Sequence, residues 1–233
     1  MSRVILAFLA NAVLLAAPAR AQSWSASDDF SPTNNPNGAW RYGYETALGG
    51  AFTDYNVSTT LGTGLDFWRA SNVGNEPNLF HNSSENPVEA FDFVLQPDQT
   101  AFHPGPTGQF SVFRWTAPRD GLFSIHADFV GLGSSSTTDP HVLINGVPLF
   151  NGTINGQGMT TAFDIDQSLV TGDIVDFAVG FGSNGTFVGD TTGINAMIMD
   201  SLLVPEPSTL LLFVFGGLTL VWRRVPVLAR PAV

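Results

Sequence analysis

Apolar and polar residues alternate along four segments of the chain, at residues 91–95, 121–131, 173–182 and 193–204. A period of two is typical of a β-strand with one buried face, and no segment between residues 22 and 203 shows the period of an amphipathic helix. The residues predicted to face inward are Phe91, Phe93 and Leu95, then Phe123, Ile125, Ala127 and Phe129, then Val175, Phe177, Val179 and Phe181, and finally Ile194, Ala196 and Ile198.

Turn residues separate these apolar runs. Asn145 and Gly146 lie between two short runs, a pattern that predicts a two-residue β-hairpin turn. Pro148 has no backbone N–H to donate, which predicts that the second strand of this hairpin lies at a sheet edge. We therefore predict an all-β fold for residues 22–203, a jelly-roll-like two-sheet β-sandwich of about eight to ten strands.

The N-terminal segment has the pattern of a secretory signal peptide, predicted as a helix over residues 1–21. Arg3 supplies the positive charge at the N-terminus, and Val4–Ala17 form the apolar central region. Ala19 and Ala21 are the small residues before the cleavage site. Cleavage is expected before Gln22. The alternative is an N-terminal helix buried in the fold.

The C-terminal segment contains a second apolar run, Leu210–Trp222, which is 13 residues long. A full membrane span needs roughly 20 residues, so this run predicts a short transmembrane helix. Arg223 and Arg224 follow it and would remain cytoplasmic by the positive-inside rule. This topology agrees with a signal peptide that exports the preceding domain.

The last 30 residues, 204–233, resemble a PEP-CTERM sorting signal. The resemblance is carried by the triplet Pro205-Glu206-Pro207, the short hydrophobic helix and the arginine pair, in that order. It implies that an exosortase-type membrane transpeptidase recognises Pro205, Glu206 and Pro207 and removes the tail. The chain departs from the pattern after Arg224, where VPVLARPAV follows, and a simple C-terminal membrane anchor is the alternative.

The composition and net charge of the chain limit the classes of partner that it can bind. The chain contains no cysteine, which excludes disulfides and thiol catalysis. Its basic residues are all arginines, and residues 22–204 retain four of them against 19 acidic residues, a net charge of −15. Such a surface repels phosphate backbones and anionic lipid headgroups, so we expect no nucleic-acid partner.

The part between residues 110 and 198 resembles jelly-roll domains of the carbohydrate-binding-module or galactose-binding type. The resemblance rests on FRWTAPRDGLFSIHADFVGL, HVLINGVPLF and the GD-x-V-x-F pattern in VTGDIVDFAVGFG. It implies a non-catalytic domain that contacts polysaccharide.

Aromatic residues supply the candidate glycan-binding site. Sugars dock their C–H faces on exposed rings, with polar neighbours at the hydroxyls. Trp40 and Tyr42 are two positions apart, so they share one face of a strand, and Trp68 is the third candidate. The alternative is that these rings fill the core.

The sequence gives less support to a catalytic or metal-binding site than to a glycan-binding site. No H-x-x-x-H or G-x-S-x-G pattern occurs, and no catalytic residue or metal ligand is assigned. Gly180–Gly185 matches G-x-G-x-x-G, but a strand and a turn follow it rather than a helix, which favours a glycine loop. Asp139 and Asp190 lie in oxygen-rich loops and could hold a structural calcium ion, with a solvated turn as the alternative. The many carboxylates leave open a second alternative, that two of them form the catalytic acid pair of a glycosidase.

We therefore expect an exported, non-catalytic cell-surface or extracellular-matrix protein that binds extracellular polysaccharide. Its expected partners are an exosortase-type enzyme, the membrane and a glycan. The alternatives are an extracellular glycan-acting hydrolase and a purely structural envelope protein.

Overall fold

The computed structural model describes residues 21–62 and 64–201, and this part of the chain contains β-strands and no helix. The strands, in chain order, are β1 (Ser23–Ser25), β2 (Trp40–Glu45), β3 (Phe52–Asp54), β4 (Val57–Leu61), β5 (Leu65–Arg69), β6 (Asn78–Asn82), β7 (Val88–Ala90), β8 (Phe93–Leu95), β9 (Thr100–His103), β10 (Phe110–Thr116), β11 (Gly121–Gly131), β12 (Asp139–Ile144), β13 (Val147–Asn151), β14 (Thr160–Leu169), β15 (Ile174–Gly180) and β16 (Thr192–Asp200).

Two antiparallel sheets form the predicted sandwich. The larger sheet, sheet A, has the order β14-β11-β16-β9-β6-β5-β4, with β1 also paired to β16. The smaller sheet, sheet B, has the order β13-β12-β15-β10-β2-β3. A separate two-stranded ribbon, β7-β8, packs on the outer face of sheet A. The all-β sandwich predicted from the sequence is confirmed.

The alternating segments form the strands that line the main core. The predicted inward residues of β11 and β16, and the first three of the segment at β15, are all buried between the sheets. Phe181 lies just beyond the end of β15 and is partly exposed. The alternation therefore identifies which face of each of these strands is apolar, because in each of them only one face contacts the opposite sheet.

The hairpin at Asn145-Gly146 is confirmed. Asn145 has φ 51° and Gly146 φ 77°, the left-handed conformations that a two-residue turn between twisted strands requires. The strand that follows, β13, contains Pro148 and lies at the edge of sheet B, as predicted.

The expected number of strands is too low, since the described part of the chain alone contains sixteen. Several of them contain only three to five residues, too few to show a period of two. The prediction for residues 91–95 also fails in part. Phe91 lies in the turn between β7 and β8 and not in a strand, so it does not share the buried face of Phe93 and Leu95.

A charged cluster is buried on the outer face of sheet B. Arg114 on β10 donates to Asp176 through Nε (2.7 Å) and Nη2 (2.8 Å), and to Glu45 Oε1 through Nη2 (3.0 Å). The ring of Phe52 covers it, with the guanidinium carbon 4.1 Å from the ring centroid. The Phe52 ring can lie over the guanidinium because residue 43 is glycine. A Cβ at this position would stand 2.5 Å from the ring. The cluster ties β2, β10 and β15 together.

The terminal predictions fall outside the described residues. These are the signal helix with Ala19, the transmembrane run Leu210–Trp222, the triplet Pro205, Glu206 and Pro207, and the pair Arg223 and Arg224. Ala21 is described and is exposed at the start of the domain. In the part of the chain that the structure describes, no helix of sufficient length and apolarity to cross a bilayer is found.

Candidate functional site

The three aromatic residues proposed for glycan binding lie in the main core. Trp40 is 1% exposed, Tyr42 0% and Trp68 5%. Their polar atoms bind the protein itself: Trp68 Nε1 donates to the Ser31 carbonyl at 2.8 Å, for example. Rings buried to this extent offer no face to a sugar. All three therefore fill the core, which was the alternative considered from the sequence.

A groove on the outer face of sheet A presents other aromatic side chains. It has a volume of about 460 Å³, and its floor is formed by β4, β5, β6 and β9. The tip of the β7-β8 ribbon, the loop at residues 75–76 and the loop at residues 187–191 form its walls. Phe67, Phe80, Phe91, Phe93 and Phe187 all line it.

Phe91 is the exposed ring of this groove. It is 83% exposed, and its ring centroid lies 6.1 Å from that of Phe80, which is itself buried beneath Phe67 and Phe93. Its backbone has φ 52°, a conformation that a bulky side chain rarely adopts. A strained backbone that projects a large apolar ring into solvent is characteristic of a binding site, because packing does not account for it.

Two buried polar atoms in the groove have no hydrogen-bond partner in the described structure. They are Oδ1 of Asn78 and Oγ1 of Thr191, both on residues that line the groove. A buried polar atom without a partner is costly, and most such atoms in native proteins are paired. Asn78 holds its amide in place by donating from Nδ2 to the Asn75 carbonyl at 2.8 Å, which leaves Oδ1 as an acceptor.

Charged and titratable side chains surround these atoms. Arg69 donates from Nη1 to the Gly74 carbonyl at 3.2 Å, and Asp92 Oδ2 accepts from the backbone N–H and hydroxyl of Ser134, each at 3.2 Å. His103 donates from Nδ1 to the Pro104 carbonyl at 2.9 Å. Burial lowers the pKa of His103 below its ordinary value, so the ring is neutral at pH 7 and its Nε2 is an acceptor.

The groove therefore combines rings for stacking with donors and acceptors for hydroxyl groups. Sequence reasoning missed it because its residues come from six separate segments and face away from the main core. Phe80, Phe91 and Phe93 flank a polar stretch, but nothing in that pattern distinguishes groove residues from core residues.

Asp139 and Asp190, proposed as calcium ligands, are engaged by protein donors. Asp139 Oδ1 accepts from the backbone N–H of Gly182 at 2.8 Å, and Asp190 Oδ1 accepts from that of Thr137 at 2.8 Å. Burial raises the pKa of Asp190 to about 6. Within residues 21–62 and 64–201, no three histidine or acidic side chains converge to hold a metal ion.

The glycine-rich motif at Gly180–Gly185 is a loop. Gly180 ends β15, and turns lead from there to β16 with no helix between them. The helix N-terminus that a dinucleotide site requires is therefore lacking at this motif.

Comparison with protein families finds one match. The model of the PEP-CTERM protein-sorting motif matches residues 203–225, which confirms the resemblance of the C-terminal segment. The motif implies export, association with the cell envelope and processing by an exosortase-type enzyme. No curated protein matches the chain.

Solved structures of similar arrangement include carbohydrate-binding modules. A family 35 module from Clostridium thermocellum is 13% identical, with 48% of this chain and 87% of that chain covered and a TM-score of 0.32. CBM51 from Clostridium perfringens GH95, in complex with methyl-galactose, is 10% identical, with 76% and 99% covered and a TM-score of 0.37. Isomalto-dextranase from Arthrobacter globiformis is 12% identical, with 70% and 23% covered and a TM-score of 0.27. Similarity at this level does not indicate a ligand.

Proposed function

We propose that this chain is an exported, non-catalytic surface or matrix protein that binds extracellular polysaccharide through the groove on sheet A. Delivery rests on the sorting motif, with a signal peptide cleaved before Gln22 and a C-terminal helix that engages the membrane until processing. Binding rests on one observation above the others: Phe91 is held almost fully exposed on a strained turn beside a groove whose lining residues carry two unpaired buried polar atoms.

A sugar ring satisfies both features at once. Its C–H face stacks on an aromatic ring, and its hydroxyl groups donate to and accept from polar atoms at the floor. Asn78 Oδ1 supplies an acceptor and Thr191 Oγ1 supplies either role. A hydrocarbon ligand such as an acyl chain would cover Phe91 but would leave these two atoms unpaired, which favours a polyhydroxylated ligand.

The first test removes one hydroxyl. Thr191→Val keeps the shape of the side chain and deletes an atom that has no partner in the described structure. We expect glycan affinity, measured with the full chain on an array of extracellular polysaccharides, to fall about tenfold. The free energy of unfolding should stay equal or rise, because no hydrogen bond of the fold is lost. A stability loss with unchanged affinity would count against the proposal.

The second test removes the exposed ring. Phe91→Ala should abolish stacking and lower affinity by about tenfold or more. Val147→Ala is the matched control, because Val147 is 60% exposed but lies on the edge strand of sheet B. Release of shorter sugars during the binding assay would support a glycan-acting hydrolase instead, and no binding to any glycan would support a purely structural envelope protein.

A further inference from the structure

Three polar residues of the groove form a row across neighbouring strands. Arg69 on β5 is the register partner of Asn78 on β6, and Asn78 is the register partner of His103 on β9. Adjacent strands lie about 4.8 Å apart, so the row extends over roughly 10 Å, the length of two sugar units. Phe67 and Phe80, two positions along the same strands, form a parallel aromatic row.

The two ends of the polar row differ in chemistry. Arg69 contributes donors only, whereas Asn78 Oδ1 and His103 Nε2 are acceptors. The carboxylates of Glu76 and Asp92 also line the groove, in its walls. The groove thus carries one guanidinium on β5 and two carboxylates in its walls.

Arg69 is exceptional among the arginines of the described chain. Arg41 is paired with Asp54, Arg114 with Asp176 and Glu45, and Arg119 with Asp200. Within residues 21–62 and 64–201, Arg69 has no carboxylate partner, and the one hydrogen bond of its guanidinium goes to the Gly74 carbonyl.

An unpaired guanidinium is unexpected where acidic residues outnumber basic ones by 19 to 4. At physiological salt the Debye length is about 8 Å, so exposed carboxylates farther from Arg69 than this are largely screened from a ligand bound to it.

We propose that Arg69 gives the groove a preference for glycans in which a single uronic acid residue stands among neutral sugars. The inference rests on the proposed function and names the substrate class of the same site. The guanidinium binds the uronate carboxylate in bidentate fashion, and the adjacent sugar donates hydroxyl hydrogens to Asn78 and His103. A second carboxylate one or two units along would meet Glu76 and Asp92 and be repelled, which disfavours polyuronates.

The test uses oligosaccharides that carry one glucuronate or one galacturonate, each compared with its carboxyl-reduced form, and polygalacturonate as the polyanion. Isothermal titration of the full chain should give about tenfold tighter binding for at least one acidic member than for its reduced form. Arg69→Gln should remove this preference, so that each acidic oligosaccharide and its carboxyl-reduced form bind with equal affinity. Arg41→Gln, which alters an arginine on sheet B, should retain the preference.

The outcomes separate the two proposals. Equal binding of each acidic oligosaccharide and its reduced form, or a preference that survives in Arg69→Gln, would overturn the role of Arg69 and leave glycan binding in place. Tighter binding of polygalacturonate than of the singly charged oligosaccharides would overturn the preference for one carboxylate. No binding of any glycan would overturn both proposals.

Discussion

Arg114 shows how much one side chain contributes when it neutralises two buried carboxylates. Glu45 is fully buried, Asp176 is 1% exposed, and the guanidinium of Arg114 is their shared partner. Arg114→Met would leave both carboxylates without a counter-charge in the protein interior. We expect a loss of about 3–5 kcal/mol in the free energy of unfolding, measured by urea denaturation.

The matched control is Arg41→Met. Arg41 pairs with Asp54 at 2.5 Å, but both side chains are more than a third exposed. Exposed pairs of this kind contribute less than about 1 kcal/mol. Equal losses in the two variants would show that burial of the Arg114 cluster does not determine its contribution.

Glu45 links stability to pH. Burial, reinforced by the nearby Asp176 carboxylate, raises the pKa of Glu45 from 4.5 to about 7. Between these values the folded state binds more protons than the unfolded state, so the free energy of unfolding falls as pH rises. We expect a fall of about 2 kcal/mol from pH 4.5 to 7 from this group.

Urea denaturation across this pH range tests the assignment. Glu45→Gln has no proton to lose and should reduce the slope, leaving the part that comes from Asp190, whereas Glu85→Gln alters an exposed carboxylate and should keep the full slope. An unchanged slope in Glu45→Gln would assign the pH dependence to other groups.

At the scale of elements, the turn of the β7-β8 ribbon holds the proposed binding residue Phe91 in a strained backbone conformation. Phe91→Gly removes a bulky residue from a left-handed backbone conformation that glycine adopts freely. We expect it to raise the free energy of unfolding by about 1 kcal/mol and to lower glycan affinity by about tenfold or more. Phe91→Ala should lower the affinity to the same extent without this gain in stability, because alanine keeps the strained φ. Equal stabilities of the two variants would show that the turn stores no strain.

The strands differ in how far the sequence could predict them. In β11 the alternation of Phe123, Ile125 and Ala127 with polar residues identified the buried face, because the other face meets solvent. In β5, however, Phe67 packs under the β7-β8 ribbon while Trp68 packs between the sheets. Both faces of that strand are apolar, so no pattern distinguishes groove residues from core residues. The groove was therefore beyond prediction, although the sandwich was not.

At the scale of the whole molecule, the sorting motif predicts a defined processing event. The match at residues 203–225 begins two residues after the last described residue, Ser201. Mass spectrometry of the native protein should find a mature chain that lacks Leu210–Val233. Glu206→Ala should retain the tail, because it alters the recognised triplet. A native wild-type chain that still carries residues 210–233 would favour the simple membrane anchor.

The strand β16 separates the two ends of the domain. The backbone N–H of Asp200, at one end of this strand, donates to the Gln22 carbonyl at 2.8 Å, so the two ends of the described chain lie side by side. The other end of the strand begins directly after Thr191 of the groove, and a nine-residue strand spans roughly 30 Å. We therefore expect an attachment made at either end of the described chain to leave the proposed glycan groove accessible to polymers of neighbouring cells as well as of its own.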